Sequence, residues 1–208
     1  IPAMAVCGVL LYRTDLLEQF GFDGPPETWD ELIEQAATIV EGSDEDLVGY
    51  QFPAYPYEGL STSFLTNLWS NGAKIYDDGL SMDEDRALET LSYMLGLMHT
   101  HRLTPQDLVT GAHGIEPQDR FLSGRSVFLT GLPSIAQAAG ALDSPVRGKV
   151  GIARPPMGPH GERSYTYLSS WHYGIPRGAR APQSARQFIS FMTSLSVQKE
   201  RALRGGPL

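Results

Sequence analysis

The sequence holds one cysteine in 208 residues, Cys7, which excludes an internal disulfide and a cysteine-ligated zinc cluster. No apolar run approaches the ~20 residues of a membrane-spanning helix. No charged start is followed by an apolar segment and a cleavage site. There is no phosphate-binding Gly-Lys-Ser/Thr loop, no Gly-x-Gly-x-x-Gly after a strand and no Gly-x-Ser-x-Gly nucleophile elbow. Basic charge is scarce early on. Residues 1–60 carry 12 acids and 1 base, net −11, whereas residues 61–208 carry 12 acids and 15 bases, net +3. The overall charge of −8 argues against nucleic acid and anionic membrane as partners. Its asymmetry reads as a solvated acidic face on the first helices. Among the five histidines, His99 and His101 are two apart and point to different sides of a helix, a poor metal pair. No metal and no cofactor are therefore expected. The chain opens on a strand-like run with no initiating Met, and it reads as a piece of a longer protein whose targeting signal lies upstream.

What is present is a globular composition. Hydrophobic residues make up 41% and charged residues 19%, enough apolar content for one or two folded domains. The apolar run Ala5–Tyr12 predicts a buried strand that includes Cys7. Thr14–Phe20 predicts a short helix closed by Gly21. Thr28 and Glu31 form a capping box before a helix with Trp29, Leu32, Ile33, Ala36, Ala37 and Val40 on one side. Val48–Phe52 follows as a strand. A turn at Tyr76–Gly79 and a second capping box, Ser81 to Glu84, precede a helix whose core stripe is Leu88, Leu91, Leu95 and Met98. Further strands are expected at 126–130, 149–154 and 166–175. Short helices are expected at 117–123 and from Pro133, and a last helix runs from Pro182 through Ala185, Phe188, Ile189 and Met192. The tail from Gly205 looks unstructured. Strands alternate with helices, so the fold class is α/β.

One stretch, Ala54 to Ala73, carries the functional signal. Tyr55 and Tyr57 flank Pro56, and Glu58 follows. Leu60, Phe64, Leu65 and Leu68 then mark one helical face, and Asn71-Gly72 supplies a stop. Tyr57 and Glu58 are thus expected in a loop and first helical turn, where a carboxylate suits the helix N-terminus. Aromatic rings beside a carboxylate suit a sugar, whose CH groups pack on the ring while its hydroxyls donate to the acid. The same residues also fit half-buried packing and a plain helix-start charge. A glycosidase would need a second carboxylate across the scissile bond. Glu58 supplies one, and no second acid stands in a comparable aromatic loop.

The motifs Val9–Leu17, Pro25–Leu32, Tyr57–Leu60, Leu68–Ala73, Phe121–Phe128, Gly131–Pro133 and Ser170–Ile175 together resemble the solute-binding proteins of ABC sugar importers, in the maltose/trehalose-binding branch. The likeness runs over nearly the whole chain. It implies a periplasmic-binding-protein-like α/β lobe, a sheet flanked by helices, as part of a two-lobe hinge protein. Residues 1–9 would be a hinge crossover strand and residues 10–165 the C-terminal lobe. Residues 166–208 would be a second crossover with a strand and helix of the other lobe. The likeness further implies a sugar ligand, ABC permease subunits as membrane partners, no catalysis, and an extracellular or periplasmic location with a membrane anchor upstream, as in a lipoprotein. Ligand contacts carry over to Tyr57, Glu58, Leu132, Ser170 and Trp171. Leu132 departs from the family's frequent Trp before Pro, and Ser169-Ser170 replaces two glycines before Trp171. Alternatives are a carbohydrate-active hydrolase using Glu58, or the same fold binding a peptide, polyamine or polyol. Residues 166–200, without a partner lobe, would expose Trp171, Ile175, Phe188, Ile189 and Met192 and favour self-association.

Overall fold

The computed structural model describes residues 1–74, 82–111 and 116–203. Along the chain come β1 (Pro2–Cys7), β2 (Val9–Arg13), α1 (Thr14–Gln19), α2 (Trp29–Gly42), β3 (Val48–Gln51), α3 (Glu58–Ser70) and α4 (Glu84–His99). They are followed by α5 (Asp107–Thr110), α6 (Pro117–Leu122), β4 (Ser126–Gly131), α7 (Pro133–Ala139), β5 (Val150–Ala153), β6 (Leu168–His172), α8 (Pro182–Met192) and α9 (Leu195–Leu203). The chain divides into two compact units. One is continuous, Gly8–Tyr167. The other joins Ile1–Cys7 to Leu168–Leu208.

The continuous unit is built on a four-stranded sheet of order β3-β4-β2-β5. β3 and β4 are parallel, and β2 pairs antiparallel with β4 and β5. The central strands β2 and β4 are buried on both faces, which is why they read as unbroken apolar runs. Leu11 and Leu129, paired across the sheet, join Phe121 of α6 and Ile135 of α7. Leu10 and Phe128 join the larger cluster with Leu32, Ala36 and Ile39 of α2 and Met94 and Leu97 of α4. Helices therefore cover both sides of the sheet.

The caps explain the helix boundaries. The Thr28 hydroxyl accepts the Glu31 amide at 3.2 Å, as the capping box requires. The Glu31 carboxylate reaches one residue further than expected and accepts the Glu27 amide at 2.7 Å. Gly72 takes a positive φ of 79° at the end of α3, and the Ala73 amide donates back to the Leu68 carbonyl at 3.2 Å.

Several expectations are corrected. The run from Ala5 to Tyr12 is two strands parted at Gly8, and Cys7 is only half-buried. Asp83 caps α4, accepting the Arg86 amide at 3.2 Å. The turn at Tyr76–Gly79, Ser81 of the proposed second capping box, His113 and the tail from Gly205 lie outside the described residues. The stripe assigned to α4 is turned: Leu88, Leu91 and Leu95 are exposed, and Thr90, Met94, Leu97 and Met98 are buried. Met98 alone was placed correctly. The strand expected over 166–175 is shorter, Leu168–His172, and α9 follows α8 unannounced.

The second unit is a two-stranded ribbon, β1 antiparallel to β6, together with α8 and α9. Among its described residues, the buried apolar ones are Ala3 and Ile189. Trp171, Phe188, Phe191, Leu195 and Leu203 are exposed, while Ile175 and Met192 are half-buried.

Candidate functional site

The parallel strands β3 and β4 end side by side, and the chain leaves them through Phe52-Pro53 and through Gly131. In open α/β sheets the crevice beyond the carboxyl ends of the strands is where ligands bind. At that end the continuous unit has a niche of about 20 Å³. Its lining includes Tyr50, Thr62, Ser63, Thr66, Asn67 and Thr130, with Phe52, Pro53 and Pro155 as apolar walls.

Helix α3 positions most of these groups. Tyr57 is its N-cap residue in extended conformation, and Glu58 is its first residue. Four residues later the helix presents Thr62 and Ser63, and one turn beyond them Thr66 and Asn67. The Ser63 hydroxyl donates to the Pro53 carbonyl at 2.9 Å, which ties the helix to the loop from β3, and within the helix the Asn67 side-chain amide donates to the Ser63 carbonyl at 2.9 Å. At the other end of α3, Asn71 is fully buried. Its Nδ2 donates to Glu89 Oε2 at 2.8 Å, and its Oδ1 accepts the His160 amide at 3.3 Å. Burial alone would raise the Glu89 carboxyl. The hydrogen bonds from Asn71 and Arg86, with the charges of His160 and Arg86, outweigh it and hold the carboxyl below its usual value. α3 is thus pinned at both ends.

Tyr57 is 56% exposed, Tyr55 is exposed and Glu58 is exposed, so none of the three is a core residue. The two rings lie 6.2 Å apart, tilted by 39°. A Cβ at Gly59 would press on Pro53 and the Tyr57 ring, so a larger residue there would move that exposed ring. Burial first, then the carboxylates of Glu116 and Glu58, push the Tyr57 phenol above its usual value. The phenol therefore stays protonated and able to donate. Leu132 follows Gly131 of the niche and is half-buried as the N-cap residue of α7.

Ser170 and Trp171 lie in the other unit, on β6, paired with Ala5 and Met4 of β1. Both are exposed, and the Trp171 ring is left 62% accessible. The Ser170 hydroxyl lies 2.8 Å from His172 Nε2. Of the five predicted contacts, the continuous unit holds Tyr57, Glu58 and Leu132, and the ribbon holds Ser170 and Trp171. Sequence reasoning did not single out Thr62, Ser63, Thr66 and Asn67, which line the niche. Their signal is a polar pair recurring four residues later along α3. Among the described residues no group of three or more His, Cys, Asp and Glu side chains is arranged to hold a metal ion, and no helix is long and apolar enough to cross a membrane.

Residues 1–199 match the family model of the bacterial extracellular solute-binding proteins, and the chain belongs to that family. A probable ABC transporter-binding protein of Deinococcus radiodurans is 33% identical over 211 residues, spanning 98% of this chain and 49% of the relative. A maltose-bound MalE3 of T. maritima is 34% identical, with a TM-score of 0.89 over 100% of this chain and 53% of its own. A solute-binding protein of an ABC transporter from Agrobacterium vitis S4, with bound D-mannitol, is 26% identical with a TM-score of 0.81 over 99% of this chain and 49% of its own. The chain spans about half the length of these relatives.

Proposed function

We propose that this chain is part of a non-catalytic receptor that binds a sugar or a polyol and delivers it to an ABC permease. The observation that carries the reading is the niche beyond the carboxyl ends of β3 and β4, where hydroxyl and amide side chains sit among apolar walls, with the exposed Tyr57 and Glu58 one helical turn away. Similarity to receptors seen with maltose and D-mannitol supports the polyhydroxylated class. Exposed ring faces at Tyr57 and Trp171 pack on solute CH groups, and Leu132 adds apolar contact. Glu58 and Ser170 bond hydroxyls. The chain crosses between lobes near Cys7-Gly8 and near Tyr167-Leu168, and residues 166–208 belong with the other lobe. Hinge closure around the ligand is the switching mode of periplasmic binding proteins and would be the state the permease reads. The receptor works outside the cytoplasm, held at the membrane by a segment outside this chain.

Titration calorimetry with maltose and with D-mannitol is the test, run beside chromatography for products. The expected result is binding without turnover, weakened about tenfold or more by Glu58→Gln through loss of a charge-assisted hydrogen bond. Trp171→Ala should weaken it comparably, with melting unchanged in both variants. Equal affinity in both variants removes these residues from the site, and product formation replaces the receptor with a hydrolase.

A further inference from the structure

Within the niche, the hydrogen-bond inventory leaves two polar groups over. Ser63 is spent on the Pro53 carbonyl, Thr62 on the Gly59 carbonyl at 2.9 Å, and Thr166 on the Gly8 carbonyl at 2.7 Å. The Tyr50 and Thr130 hydroxyls bond each other at 2.8 Å. Asn67 donates through Nδ2 to Ser63, which leaves its Oδ1 as an acceptor with no partner among the described residues. Among the same residues the Thr66 hydroxyl has none. Thr66 is 5% and Asn67 8% exposed, yet neither side-chain oxygen is among the atoms sealed from solvent without a partner. Both residues line the niche.

We infer that the niche is a single-hydroxyl pocket: Thr66 Oγ1 and Asn67 Oδ1 receive one OH group of the bound sugar or polyol and set which solutes fit. This rests on the solute-binding reading above. Two arguments select the chemistry. A volume of about 20 Å³ has room for a water-sized group, since a single water needs about 10–15 Å³. The paired atoms ask for a group that donates to Asn67 Oδ1 and accepts from Thr66, which an alcohol does and a carboxylate does not. Beside the apolar walls of Phe52, Pro53 and Pro155, a deoxy analogue leaves Thr66 and Asn67 either to a trapped water or unpaired, and both cost affinity. Sites of that kind discriminate against the deoxy analogue far better than apolar pockets discriminate by size.

The test uses maltose and D-mannitol, and then the monodeoxy derivatives of whichever binds. The unmutated chain should disfavour one deoxy position by about tenfold or more. Thr66→Val, which keeps the shape and removes the hydroxyl, should lower affinity for the parent solute by a similar factor and erase the discrimination at that position. Thr66→Ser should restore both, and the melting temperature of each variant checks the fold. Binding that Thr66→Val leaves unchanged, or discrimination that survives it, overturns the hydroxyl pocket alone. Failure of the unmutated chain to bind either probe overturns the solute-binding reading and the pocket with it.

Discussion

The two units differ in how they hold themselves together. In Gly8–Tyr167 the apolar residues of β2, β4, α2 and α4 close into two buried clusters. In the unit formed by Ile1–Cys7 and Leu168–Leu208, similar stripes meet little. α2 buries Trp29, Leu32, Ala36 and Ile39, whereas α8, with an equally clear apolar face, buries Ile189. A hydrophobic stripe states which residues share a face. It does not state whether anything covers that face, and α4 repeats the lesson inside the well-packed unit with its exposed leucines.

The sharpest way to break this contrast is a matched pair of truncations. Phe128 is fully buried, and Phe128→Ala should cost about 3–5 kcal/mol of unfolding free energy in urea titration. Phe191 is 62% exposed, and Phe191→Ala should stay within about 0.5 kcal/mol. Similar losses from the two would mean that the second unit has a core of its own.

A smaller effect comes from alkaline pH. Burial pushes the Tyr50 phenol up to about 12, with the bond to Thr130 pulling the other way. The fold therefore prefers the protonated phenol. Its contribution is fully present below the unfolded value of about 10, and it is lost as pH rises toward the folded value of about 12. Denaturation followed against pH should show this loss, and Tyr50→Phe should shrink it, with the Tyr50 share of the tyrosinate absorbance, read as the difference between the two proteins, appearing only as the unit unfolds. Early ionisation of Tyr50 in the folded protein would show that the β3 end of the sheet is open to water.

Smaller again is the cap of α2. Thr28→Ala should cost about 1 kcal/mol, read by the same urea titration. Its bond to the Glu31 amide closes a helix that forms one wall of the larger cluster. No change at all would mean that packing alone sets the start of α2.

These cases show what the sequence made legible. Thr28 and Asn71-Gly72 act locally, through bonds within a few residues, and they were read correctly. The Tyr57-Glu58 junction was also local: a strand, a short loop and a helix start. The wrong face of α4 was not local. Three leucines at helical spacing outweighed Thr90, yet Thr90 is buried because its hydroxyl returns to the Arg86 carbonyl at 2.7 Å. Tyr93 likewise stacks on Trp29 at 4.0 Å, a contact between α4 and α2 that no periodicity announces. The niche was hidden for the same reason. Ser63, Thr66 and Asn67 are polar and buried, and the partner of Ser63 is the Pro53 carbonyl ten residues away. Trp171 and Ser170 are named only through resemblance, and their exposure on β6 follows from the thin packing of that unit.

Hydrogen–deuterium exchange, with and without the better-binding of maltose and D-mannitol, tests the account most directly. It predicts strong protection in β2 and β4 and weak protection in β1, β6 and α8 of the free chain, because opening free energy follows local packing. Within the continuous unit, it predicts that solute slows exchange over the first turns of α3 and the end of β4. Equal protection in the two units, or a solute effect that spares α3 and β4, would contradict it.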